Sequence, residues 1–150
     1  MAGHHHDLVR RLFEEVFNRQ DFGALPDLVA EHYVEHAISP FGTDEPGPVD
    51  GPSHMRGVVE WLVGQYPDLQ MTVETVVAEG DTVAARVASE GTNLGLLNGF
   101  IPATGKRFSA EQCHWYRVDD TGKLAEHWAI RDDLRTMTQL GLVSVGPASA

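Results

Sequence analysis

The sequence predicts an α+β domain in which N-terminal helices pack against a curved antiparallel sheet. Before Pro67, apolar residues recur at helical spacing, and after it the apolar pattern alternates with a period of two. Helices that precede a run of strands are typical of α+β layer architectures. Because a curved sheet wrapped on helices leaves a cavity between them, we expect a ligand pocket there. The 150 residues suffice for one domain, expected over residues 7–142, with flexible termini at 1–6 and 143–150.

Three helices are predicted before Pro67, over residues 7–18, 21–33 and 53–66. The first, DLVRRLFEEVFN, carries its apolar residues on one face and has Asp7 as its N-cap. In the second, Pro26 suits a first turn, and Ser53 is the candidate cap of the third. The intervening residues 38–51 are rich in Pro, Gly and Asp, and a loop of this length suggests a lid or pocket rim.

Four strands are predicted after Pro67, over residues 71–78, 82–91, 108–118 and 124–130. The segment 79–81, Glu-Gly-Asp, is a hairpin signal between the first two strands. The Gly-rich residues 93–105 are expected to be irregular. A short last helix is predicted over residues 132–140, where Gly141 stops it.

The charge balance restricts the partners that the chain can have. It has 22 acidic and 11 basic residues, a formal net charge of −11, which disfavours nucleic acid and anionic membranes because both need basic patches. We therefore expect a small ligand, and no nucleic-acid or membrane partner. Cys113 is the sole cysteine, so we expect no internal disulfide and a reducing, cytoplasmic location. No apolar run approaches the ~18 residues of a membrane span, and the N-terminus lacks an apolar signal region. The HHH run at residues 4–6 predicts nothing about the fold.

The most informative stretch is 109–133, because its two predicted strands bring polar side chains to one face. Successive side chains of a strand point to opposite faces, so Gln112, His114 and Tyr116 share a face. If the connecting loop has an even number of residues, His127 joins that face beside His114. Histidine exchanges protons near physiological pH, so the cluster predicts an acid–base and hydrogen-bonding pocket lining. A set of satisfied polar residues at a sheet edge is the alternative.

Trp115 and Trp128 fall on the opposite face of these strands and form a cross-strand aromatic pair. If that face is exposed, the pair predicts a homodimer interface. Packing against a terminal segment is the alternative. Cys113 shares this face, away from the histidines, so it is not expected to act as a nucleophile. Arg86 lies inside a predicted strand and needs a counter-charge if buried, and Glu90 shares its face.

Histidines elsewhere in the chain are further site candidates. His32 and His36 are four residues apart in HYVEH, but Glu does not follow the first His as it does in an HExxH zinc motif, so we expect no metal. His36 is instead expected to reach the pocket. His54, at the start of the third helix, is expected to line its entrance.

Three segments resemble SnoaL-like polyketide cyclases, also called ester cyclases, of the nuclear transport factor 2-like superfamily. They are LVRRLFEEVFNRQDFGALPDLVAEHYVEH, YPDLQMTVETVVAEGDTVAARVASEGTNLG and KLAEHWAIRDDLRTMTQLG. The resemblance implies a cone, in which a curved antiparallel sheet and the N-terminal helices enclose a deep pocket. It also implies ring closure by an intramolecular aldol reaction without a metal or organic cofactor. The superfamily also contains isomerases, hydrolases and binding proteins, so the fold is implied more specifically than the reaction.

The resemblance extends to individual residues. Gln112 and His114 resemble the family's strand motif of Gln, one spacer and His. His127 and Trp128 resemble the first two residues of its later His-Trp-Asp motif. The third residue of that motif, the family's acid–base Asp, is here Ala129, and an alanine cannot move a proton.

Three explanations stay open for the missing Asp. The acid–base role passes to His127 or His114, it passes to Asp132 or Asp133 just beyond the strand, or the pocket binds ligands without this chemistry. The leading hypothesis is a cofactor-free cyclase or isomerase of a polyketide-like or other apolar carbonyl compound. His127 would be its general base, His114 and Gln112 would hold the oxygen that gains charge, and Asp132 would orient a histidine. The other side chains expected to line the pocket are Tyr116, Tyr33, His36, His54, Met55, Trp61 and Phe100.

Two other functions are compatible with the same pocket. One is a non-catalytic small-molecule binding protein, in which the histidines only satisfy hydrogen bonds of the ligand. The other is an epoxide or ester hydrolase. A further alternative is an interaction module that acts mainly through the outer face of the sheet.

Overall fold

The first helix forms on the predicted apolar pattern but begins earlier than the sequence suggests. The computed structural model describes residues 2–38 and 45–147. Helix α1 spans Ala2–Arg11 and continues without a break as a π-helical segment over Leu12–Asn18. Asp7 therefore lies inside the helix and is not its N-cap. The apolar residues that this helix buries against the sheet are Leu8, Val9, Leu12, Phe13, Val16 and Phe17.

The second predicted helix is wrong beyond its first turns. A 3₁₀ turn at Phe22–Ala24 leads into the short helix α2, Leu25–Leu28, whose first turn holds Pro26 as expected. The chain then enters strand β1, Val29–Glu35, where a helix through residue 33 was predicted. The strand forms because its backbone groups find partners on both sides, in a strand within the loop that follows it and in a parallel strand near the C-terminal end of the chain.

One of those neighbours lies in the predicted loop 38–51. Residues 39–44 of that loop lie outside the described residues, and the prediction of a lid concerns mainly them. Residues Gly47–Asp50 form strand β2, which pairs antiparallel with β1. Helix α3 follows at once as Gly51–Gln65. Its cap is Asp50 and not Ser53, because the Asp50 carboxylate accepts a hydrogen bond from the Ser53 N–H at 3.1 Å.

The remaining elements agree with the sequence pattern, and the predicted α+β class is confirmed. Six strands form one curved sheet in the order β2-β1-β6-β5-β4-β3. All neighbours are antiparallel except β1 and β6, which run parallel. Among the described residues, none of the helices has the length and apolar character needed to cross a bilayer. The bounds are β3 Gln70–Glu79, β4 Thr82–Thr92, β5 Arg107–Val118, β6 Leu124–Arg131 and helix α4 Asp133–Gln139.

An irregularity between Arg117 and Val118 shifts the pairing of β5 and β6 next to their turn. Beyond it the two strands have the register that an even loop length was expected to give. His114 pairs with Ala129, Tyr116 pairs with His127, and the two tryptophans pair with each other. His114 and His127 are therefore diagonal neighbours on one face, which we call the inner face because the first helix packs against it. The tryptophans lie on the opposite, outer face.

The irregular segment between β4 and β5 is organised by one buried amide. Asn93 is fully buried, and its Oδ1 accepts hydrogen bonds from the N–H and the hydroxyl of Thr104 at 2.8 and 3.0 Å. Its Nδ2 donates to the carbonyl oxygen of Gly95 at 2.8 Å. These bonds give a segment without regular structure a defined shape, so that it can form one wall of the cavity.

Candidate active site

A cavity of about 750 Å³ lies between the inner face of the sheet and the helices. This volume is within the range of small-molecule sites, roughly 300–1,000 Å³. Helix α3 contributes mainly apolar side chains, and strands β1, β5 and β6 contribute a group of polar ones, Glu35, Gln112, His114, His127 and Arg131. The predicted site residues that line the cavity are Gln112, His114, Tyr116, His127, His54, Met55, Trp61 and Phe100.

His114 and His127 form the centre of the polar wall. The Nδ1 of His114 lies 2.9 Å from the Nε2 of His127, and its Nε2 lies 2.7 Å from the Oε1 of Gln112. Both histidines are buried. Burial, together with the charges of His127 and Arg131, lowers the pKa of His114 well below its ordinary value. The His114 ring therefore strongly resists carrying a charge of its own.

Glu35 extends this wall and was not predicted. Its Oε1 lies 2.7 Å from the Nδ1 of His127, and its Oε2 lies 3.0 Å from the Nε2 of His54. Oε1 also accepts a hydrogen bond from the Ala37 N–H at 2.9 Å. Burial raises the pKa of this carboxyl, but the bonds from the two histidines, with the charge of His127 and the Ala37 N–H, lower it to about 2. The cavity wall therefore holds a carboxylate.

The alternation of β1 explains why Glu35 lines the cavity and His36 does not. If residues up to 33 were helical, as the sequence suggested, nothing would fix the directions of the Glu35 and His36 side chains. In a strand, successive side chains point to opposite faces of the sheet. In the parallel register Glu35 pairs with His127, so the carboxylate meets the inner face. His36 is on the outer face, where its ring stacks on Trp128 at a centroid distance of 4.8 Å. The expectation that His36 reaches the pocket is therefore wrong.

Asp132 does not orient a histidine in this structure. Its carboxylate caps α4 by accepting a hydrogen bond from the Arg135 N–H at 3.1 Å, and the residue is exposed outside the large cavity. The next residue, Asp133, does line the cavity, where it is bonded by Arg131 at 3.3 Å. Because Asp132 begins a helix directly after β6, its role follows from local chain geometry.

Two tyrosines lie beside the histidines in different ways. Tyr116 stacks on His127 with ring centroids 4.6 Å apart and lines the cavity. Tyr33 is buried behind the wall, with its ring 6.2 Å from that of His54, and it is not a lining residue. Among the described residues, the Tyr33 hydroxyl finds no hydrogen-bond partner. Burial raises the pKa of both phenols well above the ordinary value, and the nearby Glu35 carboxylate adds to this.

The first helix completes the site by covering the histidine pair. The ring of Phe13 meets that of His114 edge to face at 5.3 Å, and Phe13 is fully buried. An apolar cover of this kind excludes water and strengthens the electrostatic interactions beneath it. In residues 2–38 and 45–147, no three His, Cys, Asp or Glu side chains form a group arranged to hold a metal ion.

The outer face carries an aromatic row flanked by ion pairs. Trp115 and Trp128 stack with centroids 6.4 Å apart. Val77 pairs with Ala84, which pairs with Trp115, so the row continues across β4 to β3. Beside it, Arg86 is exposed and bonds Glu111 at 2.7 Å. The counter-charge of Arg86 is thus Glu111 and not Glu90, which pairs with Arg107.

The chain is similar in sequence to two methyl ester cyclases from Streptomyces. The chain is 35% identical over 136 residues to the aklanonic acid methyl ester cyclase DauD of Streptomyces sp. strain C5. The aligned residues cover 90% of this chain and 80% of DauD. It is 33% identical over 117 residues to the nogalonic acid methyl ester cyclase of Streptomyces nogalater, covering 77% and 78% of the two chains.

A solved structure and a family model agree with these relatives. The crystal structure of IdmH from Streptomyces antibioticus, a proposed polyketide cyclase, superposes with a TM-score of 0.75 at 32% identity, covering 91% of this chain and 98% of that one. The model of the SnoaL-like polyketide cyclases matches residues 7–140. This chain therefore belongs to the SnoaL-like polyketide cyclase family.

Proposed function

We propose that this protein is a cofactor-free cyclase that closes a ring of a polyketide-derived ester by an intramolecular aldol reaction. The observation that carries the proposal is the hydrogen-bonded series Gln112–His114–His127–Glu35 in the wall of a largely apolar cavity. Such a series can take a proton from a carbon next to a carbonyl group and return it to an oxygen. Because the relatives are named as cyclases of polyketide acid methyl esters, we propose a substrate of that class.

The proposed reaction requires the cavity to bind the substrate, to transfer a proton and to stabilise a developing negative charge. Its apolar walls would hold the ester by burial, as small-molecule sites commonly do. The histidine pair would remove and return the proton. Gln112 would donate a hydrogen bond to a substrate oxygen whose negative charge develops as the ring closes. The sum of these steps is an isomerisation, since ring closure by an aldol reaction adds and removes no atoms.

The proposal is tested by turnover of aklanonic acid methyl ester, followed by chromatography and mass spectrometry. We expect a product of unchanged mass. His114→Ala and His127→Ala should each lower kcat/KM at least about 100-fold, the usual contribution of a general acid or base. His36→Ala is the matched control, because His36 is on the outer face and should leave the rate unchanged. Undiminished rates in both cavity variants would refute the assignment, and tight binding with recovery of unchanged ester would favour the binding-protein alternative.

We further propose that the protein works in the cytoplasm as a homodimer. The aromatic row of Trp115 and Trp128 lies on a face whose neighbouring charges have both signs, Arg86 and Glu111 among them. A two-fold related copy would place the same face opposite itself, so that opposite charges could meet while the aromatic row is buried. Glu126, which bonds both His36 and Arg117, would add to this pattern.

A further inference from the structure

The Glu35 carboxylate fixes the proton positions on its two histidine neighbours. An ionised carboxylate only accepts hydrogen bonds. His127 must therefore place a proton on Nδ1, 2.7 Å from Oε1, and His54 must place one on Nε2, 3.0 Å from Oε2. With the Ala37 N–H at 2.9 Å, three donors converge on this one carboxylate.

The proton position on His127 in turn determines the proton position on His114. A neutral His127 with a proton on Nδ1 has a lone pair on Nε2, and this atom lies 2.9 Å from the Nδ1 of His114. His114 must then donate from Nδ1, which leaves a lone pair on its Nε2. That atom is the end of the series that meets Gln112 at 2.7 Å. Since Gln112 and His114 both line the cavity, a substrate group can take the place of the amide.

His114 by itself is poorly suited to hold a second ring proton and the positive charge that comes with it. Burial strongly disfavours its imidazolium form, and the positive charge of Arg131 acts in the same direction. His127 differs because the Glu35 carboxylate lies next to its ring and would neutralise a positive charge there. A proton accepted at the cavity end is therefore most stable when its charge is passed on to His127.

We propose that His114 Nε2 exchanges the proton with the substrate, while Glu35 is a positioning residue that holds the resulting positive charge on His127. This inference rests on the proposed function and assigns its general base to a different histidine from the one that the sequence suggested. It gives the structure two proton states that differ by a single proton. The recorded contact of Gln112 Oε1 with His114 Nε2 at 2.7 Å is that of the protonated state, in which His114 Nε2–H donates to the amide oxygen. In the neutral state the amide of Gln112 is turned, so that its N–H donates to the lone pair on His114 Nε2.

The proton transfers balance without a co-reactant. The C–H bond next to a substrate carbonyl breaks, its proton binds His114 Nε2, and its electron pair forms an enolate. In the same transfer His114 Nδ1 gives its proton to His127 Nε2, so His114 ends neutral and His127 ends as an imidazolium beside Glu35. The enolate carbon attacks a second carbonyl, and the proton then returns through His114 to the new alkoxide.

Other charged or titratable groups lie around His114, His127 and Glu35 and affect where a positive charge is stable. Arg131 on β6 opposes a positive charge on His114. Tyr116 on β5 stacks on His127, and it stays protonated because burial raises its pKa. Three further groups are His54 on α3, which bonds the same carboxylate, Tyr33 on β1, and Asp133 on α4, which lines the cavity and bonds Arg131.

The inference is tested first without any substrate, by ¹⁵N NMR of histidine-labelled protein across a pH titration. We expect His127 to keep its Nδ1 proton at every pH at which the fold persists. As the pH falls, His127 should gain charge at the same midpoint at which the proton of His114 moves from Nδ1 to Nε2, because the two rings titrate as one unit. A merely structural role would not produce a change of tautomer without a change of charge at His114. A neutral His127 protonated on Nε2, or a His114 that itself becomes an imidazolium, would overturn the inference.

The second test compares two glutamates that bond histidines at the same distance. Glu35 lies 2.7 Å from His127 in the cavity, and Glu126 lies 2.7 Å from His36 on the outer face. Glu35→Gln should lower kcat about 100-fold while KM changes less than about threefold, and Glu126→Gln should leave both unchanged. The coupled NMR transition should also disappear in Glu35→Gln alone.

The two proposals fail in distinguishable ways. If the wild-type protein converts the ester and Glu35→Gln, still folded by circular dichroism, converts it as fast, the inference is wrong and the proposed function stands. If the wild-type protein converts no ester, the proposed function is wrong, and the NMR titration still decides the proton positions. Loss of folding in Glu35→Gln would leave the decision to the titration of the wild-type protein.

Discussion

At the scale of single residues, the Glu35 carboxylate links the stability of the protein to pH. Its pKa of about 2 in the folded protein lies below the ordinary value of 4.5, so folding favours the ionised form. The resulting stabilisation is complete above pH 4.5 and is lost as the pH falls from 4.5 towards 2. The loss occurs because the unfolded chain takes up the proton first.

We expect this carboxylate to contribute about 2 kcal/mol less to the free energy of unfolding at pH 3 than at pH 6. The measurement is urea denaturation of the wild-type protein and of Glu35→Gln at both pH values. The difference in stability between the two should shrink by this amount at the lower pH. Glu74→Gln, a change at an exposed position of β3, is the control and should show no such change. An equal difference between wild type and Glu35→Gln at both pH values would contradict the prediction.

Sequence alternation could predict part of the polar wall but not all of it. Gln112, His114 and His127 lie on strands whose length and turn are evident from the pattern, so their common face could be predicted. Glu35 is 92 residues from His127 in the chain, and its contact depends on a parallel pairing that no local pattern indicates. The missing signal was the strand character of HYVEH, from which the inward direction of Glu35 and the outward direction of His36 both follow.

At the scale of elements, β1 shows how tertiary pairing overrides a local helical pattern. Leu25, Leu28 and Val29 have helical spacing, and the first two do form a short helix. From Val29 onwards the backbone pairs instead with β6 and β2. β-branched and aromatic residues such as Val34 and Tyr33 fit a pleated surface well, so their local preference does not oppose the change. The paired strands β3 to β6 were predictable because hairpins are local.

The junction between β2 and α3 makes a prediction about two glycines of the same helix. Gly51 is buried against β1, and a Cβ added there would overlap the carbonyl oxygen of Ala30 and lie 2.7 Å from a methyl group of Val29. Gly57, later in the helix, has nothing within 4 Å of such a Cβ. Gly51→Ala should therefore lower the free energy of unfolding by about 2 kcal/mol, as overpacking commonly does.

Gly57→Ala is the matched control and should have the opposite sign. Alanine is favoured over glycine in a helix interior by about 0.5–1 kcal/mol, and the exposed site leaves room for the methyl group. Urea denaturation at neutral pH measures both variants. If Gly51→Ala were as stable as Gly57→Ala, α3 would have to sit farther from β1 than the structure places it.

At the scale of the whole molecule, the two faces of one sheet differ in what they present. The inner face brings polar side chains from β1, β5 and β6 into a cavity that helices cover. The outer face has no helix over the row of Trp115 and Trp128 in the described part of the chain, and Val77 and Ile130 nearby are 60% and 68% exposed. An apolar row of this kind, rimmed by charges, is typical of an association surface.

The homodimer that we propose for this face predicts a concentration-dependent mass. In sedimentation equilibrium the wild-type protein should have twice the 16.5 kDa of one chain. Trp128→Asp should sediment as a monomer, because an unpaired carboxylate in a buried interface costs several kcal/mol. Trp61→Asp is the control, since Trp61 lines the cavity and not the outer face, and it should stay dimeric. A wild-type protein that is monomeric at every concentration would exclude the second copy as the partner of this face, while leaving the chemistry of the cavity untouched.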